Sequence, residues 1–269
     1  MEGIEKALEK ARAHSGAAAN ASLPRVARET PITRRADSDG STTRFMPVLA
    51  SKLKANRIIA GLVREPKADL YRMLRAQVLQ RLAVSGGTTI GVCSPNSDEG
   101  KTLTAANLAV SLAMDANYTV LLVDLDLRKP SIAQRFGLQV QTGLSDYLFG
   151  QIPLSDCLVN PGIERLVLLP GGCAMHNSSE ALTSPQMVGL ARELKARYPD
   201  RIVIYDLPPL LASDDALVFL PQVDATLLVV REGLTRAGEI QRSIDLLEGR
   251  NLLGTVLNGS AEKNFFPYF

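Results

Sequence analysis

Apolar and polar positions follow two rhythms along most of the chain, and the switches between them mark the elements. Runs at 88–93, 118–123, 165–169, 201–205, 225–230 and 252–258 are almost wholly apolar and lack the alternation of a half-exposed strand. Such runs predict strands buried on both faces. Between them apolar residues recur three and four apart. Helices are predicted over 69–82, with Leu70, Leu74 and Val78 on one face, and over 103–113, with Leu103, Ala106 and Val110 on one face. Two more run from about 185 to 197, with Ser184 as cap and Pro185 at the first position, and over 235–248. Shorter helical pieces are expected at 131–136, at 144–148 and after Ser213-Asp214-Asp215. Strands alternating with helices predict an α/β fold: a mostly parallel sheet with helices on both faces.

The N-terminal part has a different texture. Residues 1–13 place Ile4, Leu8 and Ala11 on one stripe and predict a short amphipathic helix. Residues 14–60 are rich in Ala, Ser, Thr, Arg and Pro without a sustained period, and are expected to form a flexible linker with a helical run around 49–59. Residues 61–269 form the folded domain and a short C-terminal tail.

Composition changes this picture little. The hydrophobic fraction of 46% supports a sizeable core. Apolar runs such as 120–123 are far shorter than the roughly 18 residues of a membrane span. The charged opening, Met1-Glu2-Gly3-Ile4-Glu5-Lys6, does not read as a secretory signal. Three cysteines, Cys93, Cys157 and Cys173, lack metal-ligand spacing and suit a reducing, cytoplasmic setting. His14 and His176 are isolated in sequence and take no assigned role. Charge is uneven: +6 over residues 1–64 and −4 over the rest. A basic arm can meet nucleic acid, but no aromatic residue interleaves these charges before Phe45, so no nucleic-acid partner is expected.

The candidate chemistry sits at the ends of three predicted strands. Between the strand at 88–93 and the helix at 103–113 lies Ser94-Pro95-Asn96-Ser97-Asp98-Glu99-Gly100-Lys101-Thr102. A strand, a loop ending Gly-Lys-Thr and a helix are the setting of a phosphate-binding loop. Loop amides and the helix N-terminus direct positive charge at phosphate oxygens. In that setting Lys101 can reach the β/γ-phosphates and the Thr102 hydroxyl can hold Mg²⁺. Gly100 is the only glycine in this loop, and Pro95 stands where the general pattern has another. The strand at 118–123 ends in Asp124-Leu125-Asp126-Leu127-Arg128-Lys129-Pro130, which puts both carboxylates on one side of an extended chain. The strand at 201–205 closes on Asp206, followed by Leu207-Pro208-Pro209, the form of a metal-binding Walker B element. Asp69, Arg72 and Arg75 stand three apart on the 69–82 helix, where they also suit simple solvated ion pairs.

Taken in order, these three elements resemble the bacterial tyrosine kinases of capsule and exopolysaccharide systems, the BY-kinases, over roughly residues 65–269. The Asp-x-Asp-x-Arg-x-Pro run looks like their Walker A′ motif, and residues 4–11 resemble the opening of members that accompany exosortase-type exopolysaccharide loci. The resemblance implies a P-loop NTPase fold and a protein-tyrosine (auto)kinase using ATP and Mg²⁺. It implies nucleotide contacts from Ser97, Asp98, Glu99, Gly100, Lys101, Thr102 and Leu103, with Asn258 at the adenine. Thr102, Asp124 and Asp206 would form the metal site, and Lys101, Asp124, Asp126 and Asp206 the catalytic group. Asp124 would lie nearest the acceptor hydroxyl, supported by Asp126. The family's Glu-x-x-Arg-x-x-Arg ring-forming motif is matched by Asp69, Arg72 and Arg75. A membrane polysaccharide co-polymerase is implied as activator, recruiting a cytoplasmic kinase to the inner face of the membrane. Two features depart from the family: Asp98 replaces a usual glycine, and the tail carries one tyrosine, Tyr268, in place of a cluster. The rival functions are an ATPase switch of the septum-site and plasmid-partition type, whose second lysine is replaced here by Asn96, and a non-catalytic nucleotide-binding scaffold.

Overall fold

A computed structural model describes residues 33–36 (backbone), 42–62, 65–198 and 200–261. The predicted N-terminal helix and Tyr268 lie outside the described residues. The strands are β1 (Thr33–Ala36), β2 (Thr42–Phe45), β3 (Thr89–Cys93), β4 (Thr119–Asp124), β5 (Val159–Asn160), β6 (Leu166–Leu169), β7 (Arg201–Asp206), β8 (Ala225–Arg231) and β9 (Leu252–Asn258). They form one sheet in the order β1-β2-β5-β6-β4-β7-β3-β8-β9. From β6 to β9 every pairing is parallel, so the sheet is the mostly parallel one expected. Val120–Val123 and Ile202–Tyr205 are buried throughout, which explains their unbroken apolar sequence.

Helices cover both faces. α1 (Ala50–Ala55), α2 (Ala68–Ser85) and α3 (Lys101–Ala113) come first, followed by α4 (Ile132–Arg135), α5 (Leu144–Leu148) and α6 (Leu154–Cys157). α7 (Ser178–Thr183), α8 (Pro185–Ala196), α9 (Asp215–Phe219) and α10 (Ala237–Leu246) complete the set. Two apolar cores result, one on each face of the sheet. On α8, Ser184 caps as expected, its hydroxyl accepting from the Met187 amide at 3.2 Å. α3 is buried almost all round, not along one stripe. Ala105, Ala106, Ala109 and Ala113 let it lie close against the strands.

Two expectations are corrected. Within the stretch expected as flexible linker, Thr33–Ala36 pair with β2 as a strand and residues 42–60 are packed structure. Val48, Leu53, Ile58 and Ala60 are buried in the core beside α3. Asn107 of α3 fixes this segment: its Oδ1 accepts from the amides of Ile59 (2.8 Å) and Ala60 (3.0 Å), and its Nδ2 donates to the carbonyls of Arg57 and Leu103 (both 3.0 Å). Sparse apolar residues without a sustained period gave no sign in the sequence that they join the core. On α2, Leu70 is 40% exposed and the buried line is Ala68, Val78 and Leu82. The helix packs along α3: Tyr71 and Leu74 join the same core as half-buried residues, and the Ser111 hydroxyl donates to the Tyr71 carbonyl at 3.1 Å.

Candidate active site

β3, β7 and β4 are neighbours, and all three point their C-terminal ends the same way. The register sets Asp124 directly opposite Asp206, and the loop leaving β3 rises beside them. This brings Lys101, Thr102, Asp124, Asp126 and Asp206 together at the edge where open parallel sheets bind ligands.

The loop from 94 to 100 is braced from several sides. Gly100 has φ +96°, and a Cβ there would lie 1.9 Å from Asn258 Nδ2, so glycine is required twice over. Asp98 has φ +62°, the left-handed conformation that accounts for the usual glycine here and that aspartate tolerates better than most side chains. Glu99 turns its carboxylate inward and is fully buried. It accepts from the Asn96 amide at 2.8 Å and from the Thr235 hydroxyl at 2.7 Å. Arg231 Nη1 donates to the Asp98 carbonyl and Asn258 Nδ2 to the Glu99 carbonyl, both at 2.8 Å. Asn258, expected at adenine, therefore engages the loop backbone here. Ser97 and Asp98 are exposed at the loop tip, and Leu103 is half-buried in the first turn of α3.

Lys101 lies over the carboxylates. Its Nζ is 2.7 Å from Asp126 Oδ2, 3.9 Å from Asp206 Oδ1 and 3.4 Å from Thr102 Oγ1. Burial pulls its pKa down, but Asp206 and Asp126 outweigh this and hold it above its ordinary value. Asp124 Oδ2 accepts from the Ser131 and Ile132 amides at 2.8 and 2.9 Å, while its Oδ1 has no hydrogen-bond partner. Burial, reinforced by the facing Asp206, pushes the Asp124 carboxyl up to about 7. Burial also raises Asp206, with Lys101 opposing.

Both carboxylate oxygens of Asp206 are likewise buried without a hydrogen-bond partner. Buried carboxylate oxygens left unmatched are costly unless a cation or donor arrives. With the Thr102 hydroxyl, 3.5 Å from that of Ser131, they form an all-oxygen set that fits Mg²⁺. Among the described residues no three His, Cys, Asp or Glu side chains converge as a metal cage. Magnesium commonly takes only one or two carboxylates and completes its shell with phosphates and water. Beside Asp124 opens a cleft of about 320 Å³ walled by Pro130, Gln134, Leu138, Val140 and Gly171. A Cβ on Gly171 would fall 2.8 Å from Pro130 Cβ, so a larger residue would crowd the cleft wall.

The remaining site candidates lie elsewhere. Asp69 pairs with Arg72 within α2, and Arg75 Nη1 donates to the Ser111 carbonyl at 2.8 Å. Two functional features went unpredicted: the Ser131 and Ile132 amides that hold Asp124, and the Glu99 carboxylate as a brace of the loop. Pro130 gave a signal for the first, since it breaks the chain just before those amides.

The sequence matches the CobQ/CobB/MinD/ParA nucleotide binding domain over residues 90–264. It is 31% identical over 211 residues to the tyrosine-protein kinase YwqD of Bacillus subtilis, covering 78% of this chain and 88% of that protein. It is 31% identical over 206 residues to the putative tyrosine-protein kinase EpsB of Ralstonia nicotianae, covering 76% of this chain but only 27% of that longer relative. The fold matches the crystal structure of the chimerical protein CapA2B2 with a TM-score of 0.70 and 31% identity, over 79% of this chain and 91% of that one. No helix among the described residues is long and apolar enough to cross a membrane.

Proposed function

Since this chain belongs to the CobQ/CobB/MinD/ParA nucleotide-binding family, and within it to the bacterial tyrosine-protein kinases, we propose that it is an ATP-dependent protein-tyrosine kinase of exopolysaccharide or capsule biosynthesis. One observation carries the proposal: a buried, register-locked pair of aspartates with unmatched oxygens, set beneath the P-loop lysine and beside an open cleft.

In this reading the loop amides and the N-terminus of α3 receive the ATP phosphates. Lys101 exchanges Asp126 for a phosphate oxygen. Thr102, Asp206 and Asp124 would hold Mg²⁺, which when bound would supply charge neutralisation for the phosphates. The acceptor tyrosine enters the cleft, and its phenol oxygen bonds to the γ-phosphorus as the bond to the ADP oxygen breaks. Asp124 Oδ1 takes the phenol proton, while the two amides on Oδ2 keep the carboxylate aimed. Positioning and electrostatics account for most of the rate in such transfers.

Tyr268 is the proposed acceptor, on a neighbouring copy assembled through the α2 surface that carries Asp69, Arg72 and Arg75. A membrane polysaccharide co-polymerase is the proposed activator, and it would recruit the kinase to the inner face of the membrane. The test is peptide mass spectrometry after incubation with ATP and Mg²⁺, beside Lys101→Met and Tyr268→Phe. One phosphate gained, and lost in both variants, is the expected result. Retention in Tyr268→Phe moves the acceptor elsewhere. No gain, even with an activator tail added, refutes the kinase assignment in favour of an ATPase switch or scaffold.

A further inference from the structure

Asp215 is a fully buried carboxylate away from the phosphate loop. It receives a two-pronged contact from Arg128, Nε to Oδ2 at 2.9 Å and Nη2 to Oδ1 at 3.1 Å, and the Ser178 hydroxyl at 2.6 Å. Arg128 is half-exposed on its outer side. It follows Asp126, the carboxylate that holds Lys101, within one tight turn: the Lys129 amide donates to the Asp126 carbonyl at 3.0 Å and to its Oδ1 at 3.1 Å.

Asp215 closes the segment that begins at Asp206. That segment is tied to the phosphate loop, with the Leu210 and Leu211 amides donating to the Ser94 and Pro95 carbonyls at 2.8 and 3.0 Å. The Met175 amide donates to the Leu127 carbonyl at 2.8 Å, and Ser178 reaches Asp215 from the same stretch. Three chain segments therefore meet at one buried charge, and Arg128 is the member belonging to the loop that carries Asp126.

We propose that Arg128 is a positioning residue: through its fork on Asp215 it fixes the 125–131 loop, and with it Asp126 and the resting place of Lys101. It touches neither nucleotide nor acceptor. Its effect on turnover rests on the kinase reading, but its effect on loop order does not. A lysine supplies a point charge without the planar fork and reproduces only part of the geometry. Misplacing reacting groups by a fraction of an ångström to an ångström lowers turnover on the order of tenfold to a hundredfold.

The test uses the full chain as wild type, Arg128→Ala, Arg128→Lys and Asp215→Asn. Amide hydrogen exchange is followed over 125–132, and ATP turnover and phosphoryl transfer over a range of ATP concentrations. The expected result for Arg128→Ala is faster exchange confined to 125–132 and 173–178, with kcat down on the order of tenfold or more and KM for ATP nearly unchanged. Arg128→Lys should fall between. Added guanidinium should restore part of the Arg128→Ala rate, because the site opens to solvent, and should leave Asp215→Asn unrescued. Unchanged exchange at 125–132 overturns the proposal. So does a lower melting temperature with kcat per folded molecule intact, which marks a purely structural pair. If the wild type transfers no phosphate, the kinase reading fails while the exchange experiment still decides the role of Arg128.

Discussion

Replacing Asn107 by leucine tests whether residues 57–60 are integral to the kinase fold. Leucine keeps asparagine's branching and number of side-chain heavy atoms, so the change removes hydrogen bonding without opening a cavity, and its bulkier methyl groups can only add to the loss. It strips the partner from the Ala60 amide, which is buried, and from the Ile59 amide, which is partly so. It also removes the donor to the Arg57 carbonyl. A buried polar group left unmatched costs about 1–3 kcal/mol, and a partly exposed one less because water reaches it. The three groups together give a loss of about 2–5 kcal/mol. With a denaturant slope of about 2–3 kcal/mol per molar urea for a domain of this size, the midpoint should fall by about 0.7–2.5 M. The assay is urea unfolding followed by circular dichroism, with limited proteolysis near residue 57 as local readout. A midpoint shift below about 0.3 M, with the slope unchanged, would refute the argument that this side chain anchors the segment.

Other outcomes follow from the site. Gly100→Ala should abolish measurable nucleotide binding by calorimetry while the fold survives, because the new Cβ lands on Asn258 and the +96° φ is strained. Asp124→Asn should raise the melting temperature of the metal-free protein at pH 8 and leave it little changed near pH 4. The sign follows from a folded-state pKa of about 7: the charged form is disfavoured in the fold, a cost that begins above the unfolded value and is complete above pH 7. Asp224 behaves oppositely. Burial raises its carboxyl, but Lys195 and the Thr88 and Thr89 donors outweigh this and hold it below the ordinary range. Its stabilisation is present above about pH 4 and lost as pH falls through its folded value, so Asp224→Asn should flatten the acid limb of a stability–pH curve.

Strand ends were the most legible part of the sequence. Unbroken apolar runs closing on Asp124 and Asp206 read as buried parallel strands with their carboxylates at the ligand edge, and Gly-Lys-Thr before a helix marked the third corner. Side-chain destinations were less legible. The bracing of the loop by Asn258 and Glu99 could not be read from position, because only the fold brings Thr235 and the end of β9 alongside it. Asn107 gave a faint signal as a polar residue amid apolar ones, but its partners lie about fifty positions away, in a segment with no periodicity of its own. The Arg128–Asp215 pair joins positions 87 apart, a separation that neither helix nor strand periodicity encodes.

The ladder between β4 and β7 makes the separation of the two site aspartates a stepped quantity. A slip of one residue would turn Asp124 to the other face of the sheet, and a slip of two would carry it roughly 6.6 Å along the strand. No intermediate spacing is available while the ladder is intact. Substitutions within these strands should therefore act on activity as a switch, leaving the pair in place or dismantling it. Graded adjustment of rate has to come from the loops that cross the strand ends. An engineer seeking a slower or faster variant would leave the strands alone and vary the turns at 94–100 and 125–131.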